Sequence, residues 1–500
     1  MIKPSLNEFS QLASKGNLIP VYQEILADME TPLSVLNKLS SYAENTFLME
    51  SVEHSEHLGR YSFLGTNPRA LIRFSGQKTF IEENGKTIQT DIEDNPLDIL
   101  KKYLARYKPV KISKLPPLIG GAIGYMGYGM VHHFDAILQE NPDDLFLDDA
   151  CFMIIDTLIV FDHAMNKFFI ISNAHVSSDT PLNESYEIAC KKISALRKIL
   201  ESKSAFSPCV IPENLEEKAF ASNMTQNEYE QAVVTAKKYI KAGDIFQVVL
   251  SQRFHAPTSA SAVNIYRALR SINPSPYMFF LHFKDFYLIG SSPEIMVRCE
   301  HGRAEVRPIA GTRKRGYTHE EDQTMEQELL ADPKERAEHV MLVDLGRNDL
   351  GRVCVFNSVK VPENEFMIIE RYSHVMHIVS DVVGKLKEDC DVFDLVRACF
   401  PAGTVSGAPK IPAMQIIDEL EKNKRGHYAG AVGYFSFDGN LDTAITIRTI
   451  LLKDSIAYIQ AGAGIVADSD PAMEYLEKKN KVKGMFKAIT FAEHIERGQV

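Results

Sequence analysis

Apolar and polar residues follow two patterns along the chain, and the change falls near residue 225. Before about residue 175, short apolar runs rich in β-branched and aromatic residues are separated by turn residues, which predicts strands. The run CFMIIDTLIVFDHAMNKFFIISNAHV predicts a hairpin whose two arms join at 162–167. After residue 225, NEYEQAVVTAKKYIKAGD has helical periodicity and stops at a glycine, and IFQVVLSQRF follows it as a strand.

The mixture of elements predicts the fold class. Helices and antiparallel-looking strands alternate irregularly, which favours an α+β fold over a doubly wound parallel fold. We expect large antiparallel sheets packed as a sandwich, with helices on the outside. A helical stretch near 183–202 and a polar linker over 203–222 precede the change of pattern. We therefore predict two domains, 1–205 and 223–495, since 500 residues exceed one ordinary domain.

Composition narrows the class of protein. Hydrophobic residues at 45% and charged residues at 24% are typical of a globular protein. The seven cysteines are scattered and form no CxxC pair, so we expect reduced thiols and a cytoplasmic location. No apolar stretch is long enough for a membrane span, and the N-terminus lacks a signal-peptide pattern. The net charge of −11 disfavours nucleic acid as a partner.

Two segments with the same beginning predict paired carboxylates. DPKERAEHVM and DSDPAMEYLEKK each contain Asp-Pro near their start, which suits a helix start. Glu335 and Glu338 lie three residues apart, as do Glu474 and Glu477, so each pair shares a helix face. Together the pairs could hold a hard divalent cation such as Mg²⁺. The alternative is two solvated helix faces with ordinary Glu/Lys and Glu/Arg pairs.

Two small-residue segments suggest anion binding. PAGTVSGAPK, over 401–410, carries Thr404 among residues that let backbone amides approach an anion, unless it is an ordinary loop. In QAGAGIVADSDP, Gly462, Gly464 and Ala467 match a dinucleotide fingerprint. We reject that interpretation, because the following Asp-Ser-Asp-Pro delays the helix and too little chain remains for a second strand. The glycines better suit a small carboxylate.

Four further polar residues are candidates for the same site or for structural roles. His374 and His377 are three apart in a strand-like run and would face opposite sides, so a zinc pair is not expected. Arg448 lies in the apolar run ITIRTI, where a cation needs a partner. Arg448 and Lys481 are therefore candidate partners of a carboxylate, although Lys481 would otherwise be a surface residue.

Taken together, these motifs resemble the chorismate-binding family, which includes anthranilate, aminodeoxychorismate, isochorismate and salicylate synthases. The resemblance runs from about Thr225 to Ala492, with several motifs in the family's order. It implies that four glutamates hold Mg²⁺, which would bind the ring carboxylate of chorismate, and that other residues line the substrate site. The implied metal residues are Glu335, Glu338, Glu474 and Glu477, and the implied substrate residues are Tyr428, Arg448, Gly462, Gly464, Thr404 and Lys481.

The resemblance also implies the chemistry. Glu294, in GSSPE, matches a general acid for departure of the C4 hydroxyl, and we expect it in a poorly solvated place that keeps it protonated. His377 matches a histidine implicated in pyruvate elimination and aromatisation. Ala310 stands where aminodeoxychorismate synthases carry a nucleophilic lysine. Gln247 stands where isochorismate and salicylate synthases carry a lysine base.

At Ala310 and Gln247 the chain resembles the anthranilate synthase branch of the family. That resemblance implies conversion of chorismate and ammonia to anthranilate and pyruvate. Alternatives are an aminodeoxychorismate or aminodeoxyisochorismate synthase, and a non-catalytic tryptophan-sensing or scaffold protein on the same fold. We find no glutaminase motif, so the resemblance implies a separate amidotransferase subunit, in an assembly such as a heterotetramer.

Feedback inhibition by tryptophan is also implied. Leu48-Met-Glu-Ser51 resembles the LLES motif of the family's tryptophan site, and two later segments resemble its other walls. The alternative is hydrophobic core between the two parts of the chain. The implied tryptophan residues are Glu50, Ser51, Pro276, Tyr277, Met278, Val432 and Tyr434.

Overall fold

The computed structural model describes residues 1–51, 59–91, 95–135, 137, 141–202, 209–212, 214–215, 218–372 and 375–498. The helices within these ranges are α1 (Leu6–Leu12), α2 (Pro32–Ser40), α3 (Pro96–Leu104), α4 (Leu182–Leu200), α5 (Gln226–Ala242), α6 (Ala262–Ile272), α7 (His319–Ala331), α8 (Pro333–Val353), α9 (Val392–Cys399), α10 (Lys410–Leu420) and α11 (Pro471–Glu496).

The strands in the described ranges are β1 (Ile2–Lys3), β2 (Leu18–Leu26), β3 (Thr46–Glu50), β4 (Tyr61–Thr66), β5 (Ala70–Ser75), β6 (Lys78–Glu83), β7 (Lys86–Asp91), β8 (Gly121–Met126), β9 (Ala150–Ile155), β10 (Thr157–Asp162), β11 (Lys167–His175), β12 (Ala221–Ser222), β13 (Gln247–Pro257), β14 (Tyr277–Phe283), β15 (Phe286–Ser292), β16 (Ile295–Glu300), β17 (Arg303–Val306), β18 (Ile309–Lys314), β19 (Ile368–Arg371), β20 (Val375–Val379), β21 (Val382–Lys385), β22 (Gly407–Ala408), β23 (Ala431–Ser436), β24 (Leu441–Ile445), β25 (Thr449–Lys453) and β26 (Ile456–Ile465).

Two large antiparallel sheets form the body of the molecule. In the described residues, the first has the strand order β1-β2-β11-β10-β4-β3-β14-β15-β25-β26-β13-β12, with β22 also pairing with β13. The second has the order β21-β17-β16-β24-β23-β8-β9-β5-β6-β7. A smaller sheet, β18-β20-β19, stands apart from both. Both large sheets mix strands from the two halves of the chain.

A buried apolar layer joins the faces of the two large sheets. Phe47, Leu158 and Phe279 from the first sheet pack in one cluster with Ile123 and Met153 from the second. Two other clusters cover the outer faces, one with α1, α2, α4, α6 and α11 and one with α3, α5, α9 and α10. The predicted sandwich of antiparallel sheets with outer helices is therefore confirmed.

Several local predictions can be compared with the observed elements. The hairpin at 162–167 is confirmed as β10 and β11, and the helix near 183–202 is α4. The helix predicted to stop at a glycine is α5, which ends at Gly243 with a positive φ of 88°. The domain boundaries 1–205 and 223–495 stay a prediction. Among the described residues, no helix has both the length and the apolar character needed to cross a membrane.

Candidate active site

One large cavity of about 700 Å³ brings the predicted catalytic, substrate and metal residues together. It lies where the ends of β13 and β26, the small sheet and the starts of α8 and α11 meet. We call it the large cavity. Its walls include every residue predicted for these three roles: Gln247, Glu294, Glu335, Glu338, His377, Thr404, Tyr428, Arg448, Gly462, Gly464, Glu474, Glu477 and Lys481. The roles themselves stay predictions.

The two Asp-Pro segments start helices that open onto this cavity. Asp332 caps α8 by accepting hydrogen bonds from the backbone amides of residues 334 and 335. Asp470 caps α11 in the same way, and proline occupies the first turn of both helices. Because each glutamate pair follows its cap directly, both pairs lie near a helix N-terminus, where the helix dipole favours negative charge.

Burial and mutual repulsion act on the paired carboxylates. Burial, followed by the charge of Glu338, raises the pKa of Glu335, although Arg313 opposes the shift. Burial also raises the pKa of Glu474, with the charge of Glu477 adding to it. A divalent cation between the helices would offset both the lost hydration and the repulsion, so the residues fit a hard metal ion such as Mg²⁺.

Two of the paired glutamates already form ion pairs with cationic side chains of the protein. Arg313 on β18 pairs with Asp332 at 2.8 Å and with Glu335 at 3.4 Å. Lys481 pairs with Glu477 at 2.8 Å, and within the described ranges no three acidic, histidine or cysteine side chains are already clustered for a metal. Mg²⁺ commonly uses one or two carboxylates and keeps several waters, so a preassembled cluster is not required.

At two glycines in the cavity wall, the missing side chains leave the backbone of β26 open to close contact. Gly462 and Gly464 lie inside β26, opposite Ser251 and Val249 of β13. A Cβ at residue 462 would lie 2.6 Å from the Tyr428 hydroxyl, and one at residue 464 would lie 2.5 Å from Gln247 Nε2. The glycines therefore lie within a strand and not at a strand-to-helix turn, which confirms the rejection of the dinucleotide interpretation.

Glu294 lies between β15 and β16 and is 8% exposed. Burial raises the pKa of its carboxyl to about 8. The Thr404 hydroxyl, the Ile309 backbone and Arg448 each lower it by less. The prediction that Glu294 is poorly solvated is confirmed, and a carboxylic acid that is protonated near neutral pH can donate a proton.

Two polar atoms in the cavity wall lack a protein partner. Thr404 Oγ1 and Gln460 Oε1 are buried without a hydrogen-bond partner among the described residues. The Thr404 hydroxyl lies beside the Glu294 carboxyl, whose pKa it lowers. Buried polar atoms are almost always paired, so these two atoms are candidate contacts for a bound molecule.

His377 lies on β20 of the small sheet and is 8% exposed. Its Nδ1 lies 2.9 Å from the carbonyl oxygen of Gly311, which can only accept, so Nδ1 carries the proton. Burial lowers the pKa of the ring, which favours its neutral form. Nε2 is then the basic nitrogen. His374, the other histidine of this run, lies outside the described residues.

The backbone at Arg448 is strained. Its φ of 48° is left-handed, which is unusual for a residue with a long side chain. The carbonyl oxygen of Arg448 accepts a hydrogen bond from the Ser291 amide at 3.1 Å, which helps to hold this conformation. Strained residues of this kind concentrate at functional sites.

Among the residues of the cavity wall that sequence analysis missed are two polar strand residues. Gln460 lies in β26 and is 6% exposed, and Thr312 lies in β18 beside His377. The available signal for Gln460 was an amide side chain within the apolar strand IAYIQAGAGI. Thr312 gave no such signal, since threonine is common in strands.

A second cavity of about 400 Å³ contains the predicted tryptophan residues. We call it the second cavity, and its wall also includes Arg298 and Asp442. Arg298 donates to the Tyr277 hydroxyl at 3.0 Å and pairs with Asp442 at 3.3 Å. All the residues expected there line it: Glu50, Ser51, Pro276, Tyr277, Met278, Val432 and Tyr434.

Glu50 is already engaged within the protein. Its carboxylate pairs with Arg270 at 2.8 Å and accepts a hydrogen bond from the Tyr266 hydroxyl at 2.7 Å. The side chain is buried, so Arg270 compensates a charge that would otherwise be costly. Contact between Glu50 and a ligand's ammonium stays a prediction, and Glu50 also fixes the end of β3 against α6.

Comparison with known proteins identifies the family. The profile of the chorismate binding enzyme family matches residues 44–487. Anthranilate synthase component 1 from Acetivibrio thermocellus is 48% identical over 499 residues, covering 99% of this chain and 100% of the relative. The same component from Aquifex aeolicus is 47% identical, covering 98% of each chain.

Solved structures agree with this result. Anthranilate synthase component I from Streptococcus pneumoniae superposes with a TM-score of 0.76 at 39% identity, covering 87% of this chain and 94% of that chain. A menaquinone-specific isochorismate synthase from Escherichia coli shares the fold, with a TM-score of 0.67 at 19% identity and coverage of 97% and 98%. The chain belongs to the chorismate-binding enzyme family, in the group of anthranilate synthase component 1 proteins.

Proposed function

We propose that this protein is a synthase subunit that converts chorismate and ammonia to anthranilate and pyruvate, the first committed step of tryptophan biosynthesis. One observation carries the proposal. Two carboxylate pairs, a buried acid, a neutral histidine and cationic side chains surround a single cavity of about 700 Å³. This arrangement suits a dianionic substrate that must lose a hydroxyl group.

Magnesium is the cofactor that we propose. Glu335, Glu338, Glu474 and Glu477 would hold the ion, directly or through water. When bound, Mg²⁺ supplies positive charge that attracts the ring carboxylate and acts as a Lewis acid.

The chain's own residues would orient the other end of the substrate. Arg448 and Tyr428, with the backbone amides of Gly462 and Gly464, would hold the pyruvyl carboxylate. Burial raises the pKa of Tyr428 to about 12, so its hydroxyl stays a hydrogen-bond donor. Lys481 adds positive charge at the rim of the cavity.

Glu294 and His377 would handle protons. The Glu294 carboxyl would protonate the departing C4 hydroxyl, so that water leaves instead of hydroxide. His377 would then act during elimination of pyruvate and aromatisation, with Nε2 as its basic atom. The hydrogen bond from Nδ1 to Gly311 fixes the tautomer that this role needs.

Two residues of the cavity wall favour ammonia as the nucleophile. Gln247 donates to Glu338 at 3.0 Å, and its amide is a poor base for activating water, whereas ammonia attacks without prior deprotonation. Ala310 offers no nucleophilic group, which disfavours the chemistry of an aminodeoxychorismate synthase. An aminodeoxyisochorismate synthase would retain the enolpyruvyl group, and product mass separates it from the proposed reaction.

Partners and regulation complete the proposal. We propose a cytoplasmic heterotetramer in which a separate amidotransferase subunit supplies ammonia from glutamine. Tryptophan would bind in the second cavity and inhibit competitively with chorismate through a shift between two arrangements.

The test is an assay with chorismate, Mg²⁺ and ammonium chloride at high pH, followed by anthranilate fluorescence and product mass. We expect anthranilate and pyruvate in equal amounts. No consumption of chorismate would instead support a non-catalytic protein.

A further inference from the structure

A buried polar network lies behind the large cavity, and the mechanism above does not use it. At its centre is Arg425, which is 2% exposed and lies in the turn between α10 and β23. Its partner is Glu421, at 3.0 and 2.6 Å, which is 7% exposed. A buried ion pair of this kind persists only where its hydrogen bonds are well satisfied.

The guanidinium connects separate segments of the cavity wall. Nη1 donates to the carbonyl oxygen of Val405 at 2.8 Å, and Nη2 donates to that of Val249 at 2.6 Å. Val249 belongs to β13, and Val405 follows Thr404 directly. Both residues line the large cavity.

The same guanidinium contacts aromatic rings on two sides. Its carbon lies 4.7 Å from the centroid of the Tyr128 ring and 5.5 Å from that of Tyr428. A planar cation near an aromatic face is attracted to it and limits how the ring can move. Arg425 therefore restricts the position of the Tyr428 ring.

Glu421 extends the network to Gln460. The Glu421 carboxylate accepts hydrogen bonds from the amide and the hydroxyl of Ser251, both at 2.8 Å. The Ser251 hydroxyl in turn accepts one from Gln460 Nε2 at 2.8 Å. The Gln460 amide is thereby held with its unpaired oxygen in the cavity wall.

We propose that Arg425 is a positioning residue that fixes Tyr428 through its ring, Thr404 through the neighbouring Val405 carbonyl, and Gln460 through Glu421, around the bound substrate. This inference rests on the proposed function, because it assumes that these three residues face chorismate. Arg425 itself does not line the large cavity. A positioning role also explains why a costly buried arginine occupies a place where an apolar side chain could pack.

Arg425→Lys tests this proposal. Lysine keeps the charge, but a single ammonium cannot reach Glu421, Val249 and Val405 together in the planar geometry of arginine. We expect the KM for chorismate to rise roughly ten-fold, while the KM for ammonia stays at the parent value. A merely structural role would lower the fraction of active enzyme, and so kcat, without changing either KM.

Arg253→Lys is the matched control. Arg253 is also buried, at 3% exposed, and pairs with Asp144 and the carbonyl oxygen of Lys424. These three residues do not line the large cavity. The control should therefore keep both KM values, even where its thermal stability falls as far as that of Arg425→Lys.

Ser251→Ala decides the matter if Arg425→Lys does not fold. It removes the hydroxyl that joins Glu421 to Gln460 and should raise the KM for chorismate by roughly three-fold. The inference is overturned if Arg425→Lys, or Ser251→Ala where Arg425→Lys does not fold, has the same KM for chorismate as the control. It is also overturned if that variant differs from the parent only in kcat. Absence of anthranilate formation by the parent enzyme would instead refute the proposed function.

Discussion

Replacing Glu294 by glutamine should stabilise the protein at neutral pH while abolishing most of its activity. The carboxyl is buried, and its pKa is raised to about 8 from an ordinary value of 4.5. Between these two values the folded state holds a proton that the unfolded state has lost. The stability of the parent therefore falls as pH rises through this window, and the cost is constant above it.

The size of the effect follows from the shift. Each pKa unit corresponds to about 1.4 kcal/mol, so the buried acid costs about 3 kcal/mol at pH 7. Glutamine cannot ionise, so the variant does not lose this folding free energy as pH rises. The stability of Glu294→Gln relative to the parent should therefore increase by about 3 kcal/mol between pH 5 and pH 8.

Urea unfolding of both proteins at pH 5, 6, 7 and 8 measures this difference. Glu228→Gln is the control, because Lys422 and the Thr225 cap lower the pKa of that exposed carboxyl to about 2. Glu228 is almost fully ionised in both states from pH 6 to pH 8, so over that range its substitution should give a nearly constant difference. Anthranilate formation by Glu294→Gln should fall by about 100-fold or more, as expected for loss of a general acid.

Two results would refute this reasoning. If the difference between Glu294→Gln and the parent is flat from pH 5 to pH 8, burial does not keep the carboxyl protonated. If the glutamine variant keeps its turnover, Glu294 does not donate the proton to the leaving hydroxyl.

Three other substitutions test the cation site, the choice of nucleophile and the regulatory site. Glu335→Gln removes a carboxylate charge from the cation site, so Mg²⁺-dependent turnover in a magnesium titration should fall by about 100-fold. Near-normal activity would exclude this residue from the site. Gln247→Lys should yield some isochorismate or hydroxybenzoate by mass spectrometry, since lysine can activate water; finding neither product would count against the explanation of nucleophile choice. Ser51→Phe should abolish tryptophan inhibition while leaving kcat unchanged, because the larger side chain enters the second cavity, and an unaltered inhibition curve would remove Ser51 from the regulatory site.

Much of the local structure could be predicted because it depends on neighbours in the sequence. The starts of α8 and α11 follow from Asp332 and Asp470 as caps with proline behind each, and the end of α5 follows from Gly243. The convergence of α8 and α11 on one cavity could be expected only from resemblance. Spacing along two distant segments carries no information on their distance in space.

Apart from the hairpin of β10 and β11, strand partners could not be predicted. The single apolar stretch from residue 150 to residue 162 divides at Asp156, with β9 in one large sheet and β10 in the other. Likewise β20 and β21, close in sequence, enter different sheets. Alternation of apolar residues shows that a strand has a buried face but not which strand lies beside it.

Individual contacts in the cavities could not be predicted from the sequence either. Glu50 could be expected at the second cavity, but its pairing with Arg270 depends on how β3 packs against α6. The network of Arg425 joins α10, β13 and β26, which meet only in the folded chain. Such polar contacts depend on tertiary geometry and leave no periodic signal.

Magnesium binding measured by calorimetry, with and without chorismate, tests most directly whether two helices jointly bind one ion. We expect a single site whose affinity for magnesium rises when chorismate is present and falls in both Glu335→Gln and Glu474→Gln. If the substitution on either helix leaves magnesium affinity unchanged, the two carboxylate pairs do not share an ion.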